Sequence, residues 1–140
     1  MVIAIDFDGT CVTHDFPKVG ETVPYVVETL RDLVDAGHTL ILFTMRSDRD
    51  KMGGKLPSDI EDVTGTFLTD AINWFKENNI PLWGIQINPE QKMWTTSPKA
   101  YAHLYIDDAA LGCPLIYGKH AKPYADWCTI RKILRENKIL

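Results

Sequence analysis

The sequence predicts an α/β fold with a central parallel sheet, and three observations predict it. Val2-Ile3-Ala4-Ile5 and Thr39-Leu40-Ile41-Leu42-Phe43 are short apolar runs without alternation, the pattern of strands buried on both faces. Such runs alternate with segments of helical period, which is the signature of a parallel sheet covered on both faces. Polar residues gather where the runs stop, and the carboxyl ends of strands are where open α/β sheets bind their ligands. The chain of 140 residues is read as a single domain, 1–140, long enough to build one sizeable core.

The first strand is expected over about Val2 to Phe7, ending at Gly9. Residues 9–21, with Gly9, Pro17 and Gly20, read as a loop or short hairpin flap over the end of that strand. A helix follows from about Pro24 to Ala36, capped by Thr22, with Val26, Val27, Leu30, Leu33 and Val34 on one face and Gly37 as the stop. Thr39 to Phe43 is the second strand, with Thr44 at its carboxyl end. The polar stretch 46–63, containing Gly53-Gly54 and Pro57, reads as a functional or mobile loop. A helix from about Thr66 to Asn78 turns Phe67, Leu68, Ala71, Trp74 and Phe75 inward, and a third strand runs from Trp83 to Ile87. After an irregular stretch, with a short helix expected beyond Ser97-Pro98, Ala102 to Ile106 forms the fourth strand and ends in Asp107-Asp108. Leu115 to Tyr117 reads as a short fifth strand. Pro123 opens a last helix to about Asn137, which docks Trp127, Ile130, Ile133 and Leu134 on the sheet. If the strand order reverses beside the first strand, the end of that strand becomes the switch point where the crevice opens.

Composition narrows the class of function. Charged residues at 24% and hydrophobic residues at 45% are those of an ordinary globular domain. A net charge of −4 disfavours strong nonspecific binding to nucleic acid, so such a partner is not indicated by charge. No apolar run approaches the length of a membrane span. Cys11, Cys113 and Cys128 are odd in number and lack a CxxC spacing, which suits a reducing compartment, and the chain opens on a strand rather than a leader. A cytoplasmic location is the expectation.

Three strand ends bring Asp6 and Asp8, Thr44, and Asp107 and Asp108 to one edge, and Lys99 lies shortly before the fourth strand. Four crowded carboxylates repel one another unless a cation neutralises them. All-oxygen ligands favour a hard ion, so Mg²⁺ is the expected cofactor. With that ion the remaining groups suit phosphoryl transfer. One carboxylate can attack phosphorus, and a second, if held protonated, can serve the leaving oxygen and then activate water. Thr44 would hydrogen-bond phosphoryl oxygens, and Lys99 would balance charge.

Asp6-Phe7-Asp8-Gly9-Thr10, Thr44, Lys99 and Asp107-Asp108, in this order and on these strand ends, resemble the four motifs of the haloacid dehalogenase superfamily. The resemblance spans residues 2–108. It implies a Rossmann-like three-layer fold, with Asp6 as nucleophile and Mg²⁺ ligand and Asp8 as general acid/base whose backbone carbonyl completes the metal site. Thr44 is then the phosphate-binding hydroxyl and Lys99 the stabilising lysine, with Asp107 and Asp108 as metal ligands, one directly and the other through water. Asp at position 8 points to a phosphatase or phosphotransferase rather than a dehalogenase. The stretches between the motifs are consumed by the flap, helices, strands and loop, so no cap domain is expected. Such an open site suits a large substrate, a phosphorylated polymer end included, or a lid supplied by a second subunit in a homo-oligomer.

Several residues carry two readings. Arg46 either clamps a substrate phosphate or is a solvated loop arginine, and Thr10 stands with it as a candidate substrate contact. Cys11 is a small packed residue rather than a nucleophile. His14 and Asp15 either touch a leaving group or sit in a surface turn. Arg49, Lys51 and Lys55 form a basic rim or a solvated loop, and Trp94 is a candidate stacking residue. His103 and Tyr105 are expected to pack against helices. The leading expectation is a Mg²⁺-dependent phosphatase acting on a phosphate monoester: a nucleotide, a sugar phosphate or a polynucleotide end. The alternative is a phospho-accepting or phosphate-binding module without turnover. A receiver-type signalling domain would need an Asp after the third strand, where Asn88 stands.

Overall fold

In the computed structural model, which describes residues 1–49 and 64–140, the apolar runs become the middle of a four-stranded sheet. Strands β1 (Val2–Ile5), β2 (Thr39–Leu42), β5 (Gly84–Ile85) and β6 (Leu104–Ile106) lie in the order β5-β2-β1-β6, and every pair is parallel. The chain therefore adds strands outward from β1 through β2 to β5, then returns to place β6 on the other side of β1. The order reverses beside β1, so the crevice at the carboxyl ends of β1 and β6 is the topological switch point.

Alternation along the strands sorts the core. Ile3 and Ile5 pair in register with Leu40 and Leu42, and Ile5 also with Ile106. These side chains join one apolar cluster with Leu30 and Leu33 of α1 (Val26–Asp35), Trp74 and Phe75 of α2 (Phe67–Glu77), and Trp127, Ile130 and Leu134 of α3 (Trp127–Glu136). Each fully buried Leu or Ile here contributes on the order of 2 kcal/mol. Ala4, Ile41 and Tyr105 share the opposite face by register. The connection 86–103 lies over that face, since the Tyr105 hydroxyl donates to the Ala100 carbonyl at 2.6 Å. The result is an α/β sheet flanked by helices and consistent with a Rossmann-like three-layer arrangement. No helix among the described residues is long and apolar enough to cross a membrane.

Several expectations change at the edges of elements. Thr22 does not cap α1, whose first turn follows Tyr25 in a left-handed conformation without a side-chain cap. Its hydroxyl instead accepts a hydrogen bond from Trp74 Nε1 at 3.0 Å, tying the flap to α2. The helix expected after Pro98 is absent among the described residues, and a single 3₁₀ turn stands earlier, over Gln91–Met93. Leu115–Ile116 (β7) pairs antiparallel with Tyr124–Ala125 (β8) in a separate ribbon, so the last helix begins at Trp127 rather than Pro123. Asp126 caps it, accepting from the Thr129 N–H at 3.2 Å. Ile133 is 42% exposed and does not dock, because it falls outside the stripe of Trp127, Ile130 and Leu134. Tyr105 packs on Phe43 and the 86–103 connection rather than on a helix. A second ribbon, β3 (Asp48–Arg49) with β4 (Gly65–Thr66), leads into α2, and Asp48 accepts from the Thr69 N–H at 2.9 Å in its first turn. The expectations for Lys51, Lys55, Gly53-Gly54 and Pro57 lie outside the described residues.

Candidate active site

The carboxyl end of β1 and the tight turn beyond it assemble the site. The ladder continues one rung past the strand, where the Asp6 N–H donates to the Ile106 carbonyl at 3.0 Å, so Asp6 stands beside Asp107-Asp108. The chain then turns back on itself. The N–H groups of Thr10, Cys11 and Val12 all point at the Phe7 carbonyl, at 3.1, 2.8 and 3.2 Å. Gly9 makes this turn at φ +82°, and a Cβ there would lie 2.1 Å from His14 Nε2 and 2.4 Å from Asp108 Oδ2. The left-handed backbone favours glycine at this position, and a side chain there would displace the His14–Asp108 contact.

One oxygen from each of Asp6, Asp107 and Asp108 lies within 4.8 Å of the others. Burial pushes the Asp6 carboxyl up to about 7, and the charges of Asp107 and Asp108 push the same way, against the lowering effect of hydrogen bonds from Thr10 and the Phe7 backbone. A cation would relieve that repulsion, and three carboxylates with no nitrogen or sulfur donor suit a hard divalent ion. Asp107 Oδ1 also accepts from the Ala109 N–H at 2.8 Å, while Asp108 Oδ2 meets His14 Nε2 at 2.8 Å.

Thr10, read as a substrate contact, takes a different place. It is fully buried, its hydroxyl donates to Asp6 Oδ2 at 2.8 Å, and the same oxygen accepts from the Asp108 N–H at 3.1 Å. It aligns the two acids from below rather than facing a ligand. Arg46 is likewise 2% exposed and binds Asp8 with both arms of its fork, Nε to Oδ2 at 2.6 Å and Nη2 to Oδ1 at 2.7 Å. A guanidinium so engaged is not free to clamp a substrate phosphate. Asp8 is held by that fork, and its carboxylate stands apart from the cluster formed by Asp6, Asp107 and Asp108.

Thr44 sits at the end of β2, half-buried, its Oγ1 accepting the Arg46 N–H at 3.1 Å, which leaves the hydroxyl proton free to donate. Lys99 is exposed, and its ammonium stands 5.2 Å from the centre of the Tyr105 ring. Among the described residues it makes no ion pair with Asp6, because the chain before β6 runs over the sheet face rather than straight to the strand end. Cys11 is fully buried, donates to the Asp6 carbonyl at 3.3 Å, and has its thiol pushed well above the ordinary value by burial and by Asp6 and Asp8. It is packed and unreactive.

One participant escaped the sequence and another was only half read. Gln86, at φ +65°, accepts the Thr44 N–H at 2.9 Å and donates to the carbonyls of Thr44 and Arg46 at 2.6 and 2.9 Å, so it fixes the turn carrying both residues. No local pattern marks it. His14, read as either a leaving-group contact or a surface-turn residue, reaches from the flap to Asp108, a partner the sequence did not indicate. An open pocket of about 350 Å³ lined by Thr13, His14, Asp15, Val19, Gly20, Glu21 and His120 adjoins the cluster through His14.

No family model matches the chain, and no curated protein matches it with significance. Among solved structures, the chain is similar to that described as the conserved protein coded by locus from Bacteroides thetaiotaomicron, with a TM-score of 0.71 and 31% identity over 98% of this chain and 91% of that one. With that identity across nearly the whole of both, this chain belongs to the same family as the conserved protein from Bacteroides thetaiotaomicron.

Proposed function

We propose that this chain is a Mg²⁺-dependent phosphohydrolase that cleaves a phosphate monoester through a phosphorylated Asp6, as its likeness to the haloacid dehalogenase motifs implies. The observation that carries the reading is the cluster of Asp6, Asp107 and Asp108 at the switch point, with Asp6 raised to about 7 by burial and by its two acidic neighbours. Those three carboxylates would hold the ion, which supplies positive charge to offset the dianionic phosphoryl group and keeps Asp6 ionised.

The chain's own residues account for the remaining chemistry. An Asp6 oxygen bonds to phosphorus as the ester P–O bond breaks, and Thr10 holds the other Asp6 oxygen in place. Asp8 gives a proton to the departing oxygen and later takes one from the water that hydrolyses the acyl phosphate. Thr44 donates its free hydroxyl proton to a phosphoryl oxygen. Lys99, whose ammonium stands 5.2 Å from the centre of the Tyr105 ring, would swing from the sheet face to supply positive charge to an arriving phosphate. The pocket beside His14 receives the leaving group.

The test is hydrolysis of p-nitrophenyl phosphate and a panel of alkyl, sugar and nucleotide monoesters, with Mg²⁺ and with EDTA. Turnover that vanishes in EDTA and in Asp6→Asn supports the reading. Turnover that survives either one overturns it. Phosphate and Mg²⁺ binding without turnover on any ester would favour a non-enzymatic phosphate-binding module instead.

A further inference from the structure

We infer that Arg46 is the positioning residue for Asp8, fastening the proton-transfer carboxylate to the backbone of the flap; this rests on the phosphohydrolase reading. A guanidinium has five N–H donors, and those of Arg46 are fully engaged. Two go to Asp8 at 2.6 and 2.7 Å. The others go to the carbonyls of Lys18 at 2.7 Å, Phe67 at 3.3 Å and Pro17 at 3.5 Å. The rings of Phe7 and Phe16 also pack against it, their centres 5.1 and 5.2 Å from the guanidinium carbon. One side chain therefore joins four separate places: the turn after β1, the flap at Phe16–Lys18, the turn after β2, and the start of α2.

A buried guanidinium is costly without a counter-charge, and a carboxylate held in its fork loses its rotational freedom. The direction in which Asp8 points is thus set by the flap backbone through Arg46. The same fork acts at the chemical step. As the proton on Asp8 moves to the departing oxygen, negative charge develops on the carboxylate, and two charge-assisted hydrogen bonds already aim at it. Lysine keeps the charge but has no planar fork to fix a carboxylate at two points.

A merely structural ion pair and a positioning residue differ in one readout. Departure of p-nitrophenolate needs no proton, whereas departure of an alkoxide does. The measurement is kcat/KM for p-nitrophenyl phosphate and for an alkyl phosphate, which reports the steps up to loss of the leaving group. General acid catalysis is worth about 10²–10⁴-fold, so Arg46→Lys is expected to lower the alkyl value by about 30-fold or more and the p-nitrophenyl value by less than about fivefold. Phe16 is 54% exposed, so Phe16→Ala tests the same link at little risk to folding, and is expected to move the ratio the same way by about threefold or more. A parallel loss on both esters, or an unmoved ratio, overturns the inference, and Phe16→Ala alone decides if Arg46→Lys does not fold. Absence of Asp6-dependent turnover in the wild type overturns the phosphohydrolase reading itself, which is a separate result.

Discussion

Proton and metal should compete for Asp6, and the size of that competition follows from its surroundings. Burial, reinforced by Asp107 and Asp108, raises the carboxyl from 3.8 to about 7. A group raised on folding binds its proton more tightly folded than unfolded. In the metal-free protein its contribution to stability is therefore complete below about pH 4 and is lost as pH rises through 7, on the order of 1 kcal/mol per unit. A divalent cation reverses the sign, because it binds the ionised form. At pH 8 Asp6 is about nine-tenths ionised and at pH 5 about one-hundredth, so Mg²⁺ should bind roughly a hundredfold more weakly at pH 5. With Mg²⁺ at about 100 times its dissociation constant at pH 8, the stabilisation is about 3 kcal/mol there and under about 1 kcal/mol at pH 5. For a domain of this size that corresponds to a rise in Tm of about 10 °C against one of about 1–2 °C. Thermal unfolding by circular dichroism, with Mg²⁺ and with EDTA at each pH, measures both shifts. Equal shifts at pH 5 and pH 8 would refute the linkage. So would an Asp6→Asn protein that keeps the wild-type pH dependence of its Mg²⁺ response.

Two further predictions concern residues that shape the site without facing it. Thr10→Val keeps the shape of a fully buried residue but leaves the Asp108 N–H without its partner, so a loss of about 1–3 kcal/mol is expected from denaturant unfolding. The same change removes the hydrogen bond that lowers the Asp6 carboxyl, so Mg²⁺ binding by calorimetry at neutral pH should weaken; unchanged stability and affinity would contradict the role given to its hydroxyl. Gln86→Ala deletes three hydrogen bonds to the turn carrying Thr44 and Arg46. It should cost about 2 kcal/mol and raise amide exchange at residues 44–46 selectively, whereas exchange raised evenly across the sheet would show a general loss of packing.

The legible part of this chain was whatever depends on local composition. Apolar runs such as Ile3–Ile5 and Leu40–Leu42 are too short for a helix and lack alternation, so a sheet covered on both faces is the arrangement that buries them. Gly9 marked the tight turn beyond the first strand, since a left-handed φ of +82° favours glycine. Leu115–Ile116 was expected as a strand, but its partner Tyr124–Ala125 was missed because a two-residue pairing leaves no periodicity and Pro123 resembles a helix opener whether or not a strand follows it. Arg46 and Gln86 could not be placed from sequence for a different reason. Their partners, Asp8 and the Thr44 turn, lie far along the chain, and only the packing of flap, sheet end and α2 puts them within hydrogen-bonding distance.

By itself, then, the sequence determined the parallel sheet and the acids that stand at its carboxyl edge, because burial and strand termination are local consequences of residue type. The tertiary structure alone decided how those acids divide. Asp6 joins Asp107 and Asp108 over the Thr10 hydroxyl, while Asp8 is held in the fork of Arg46. That division depends on distances between segments far apart in sequence, and such distances exist only once the chain has closed on itself.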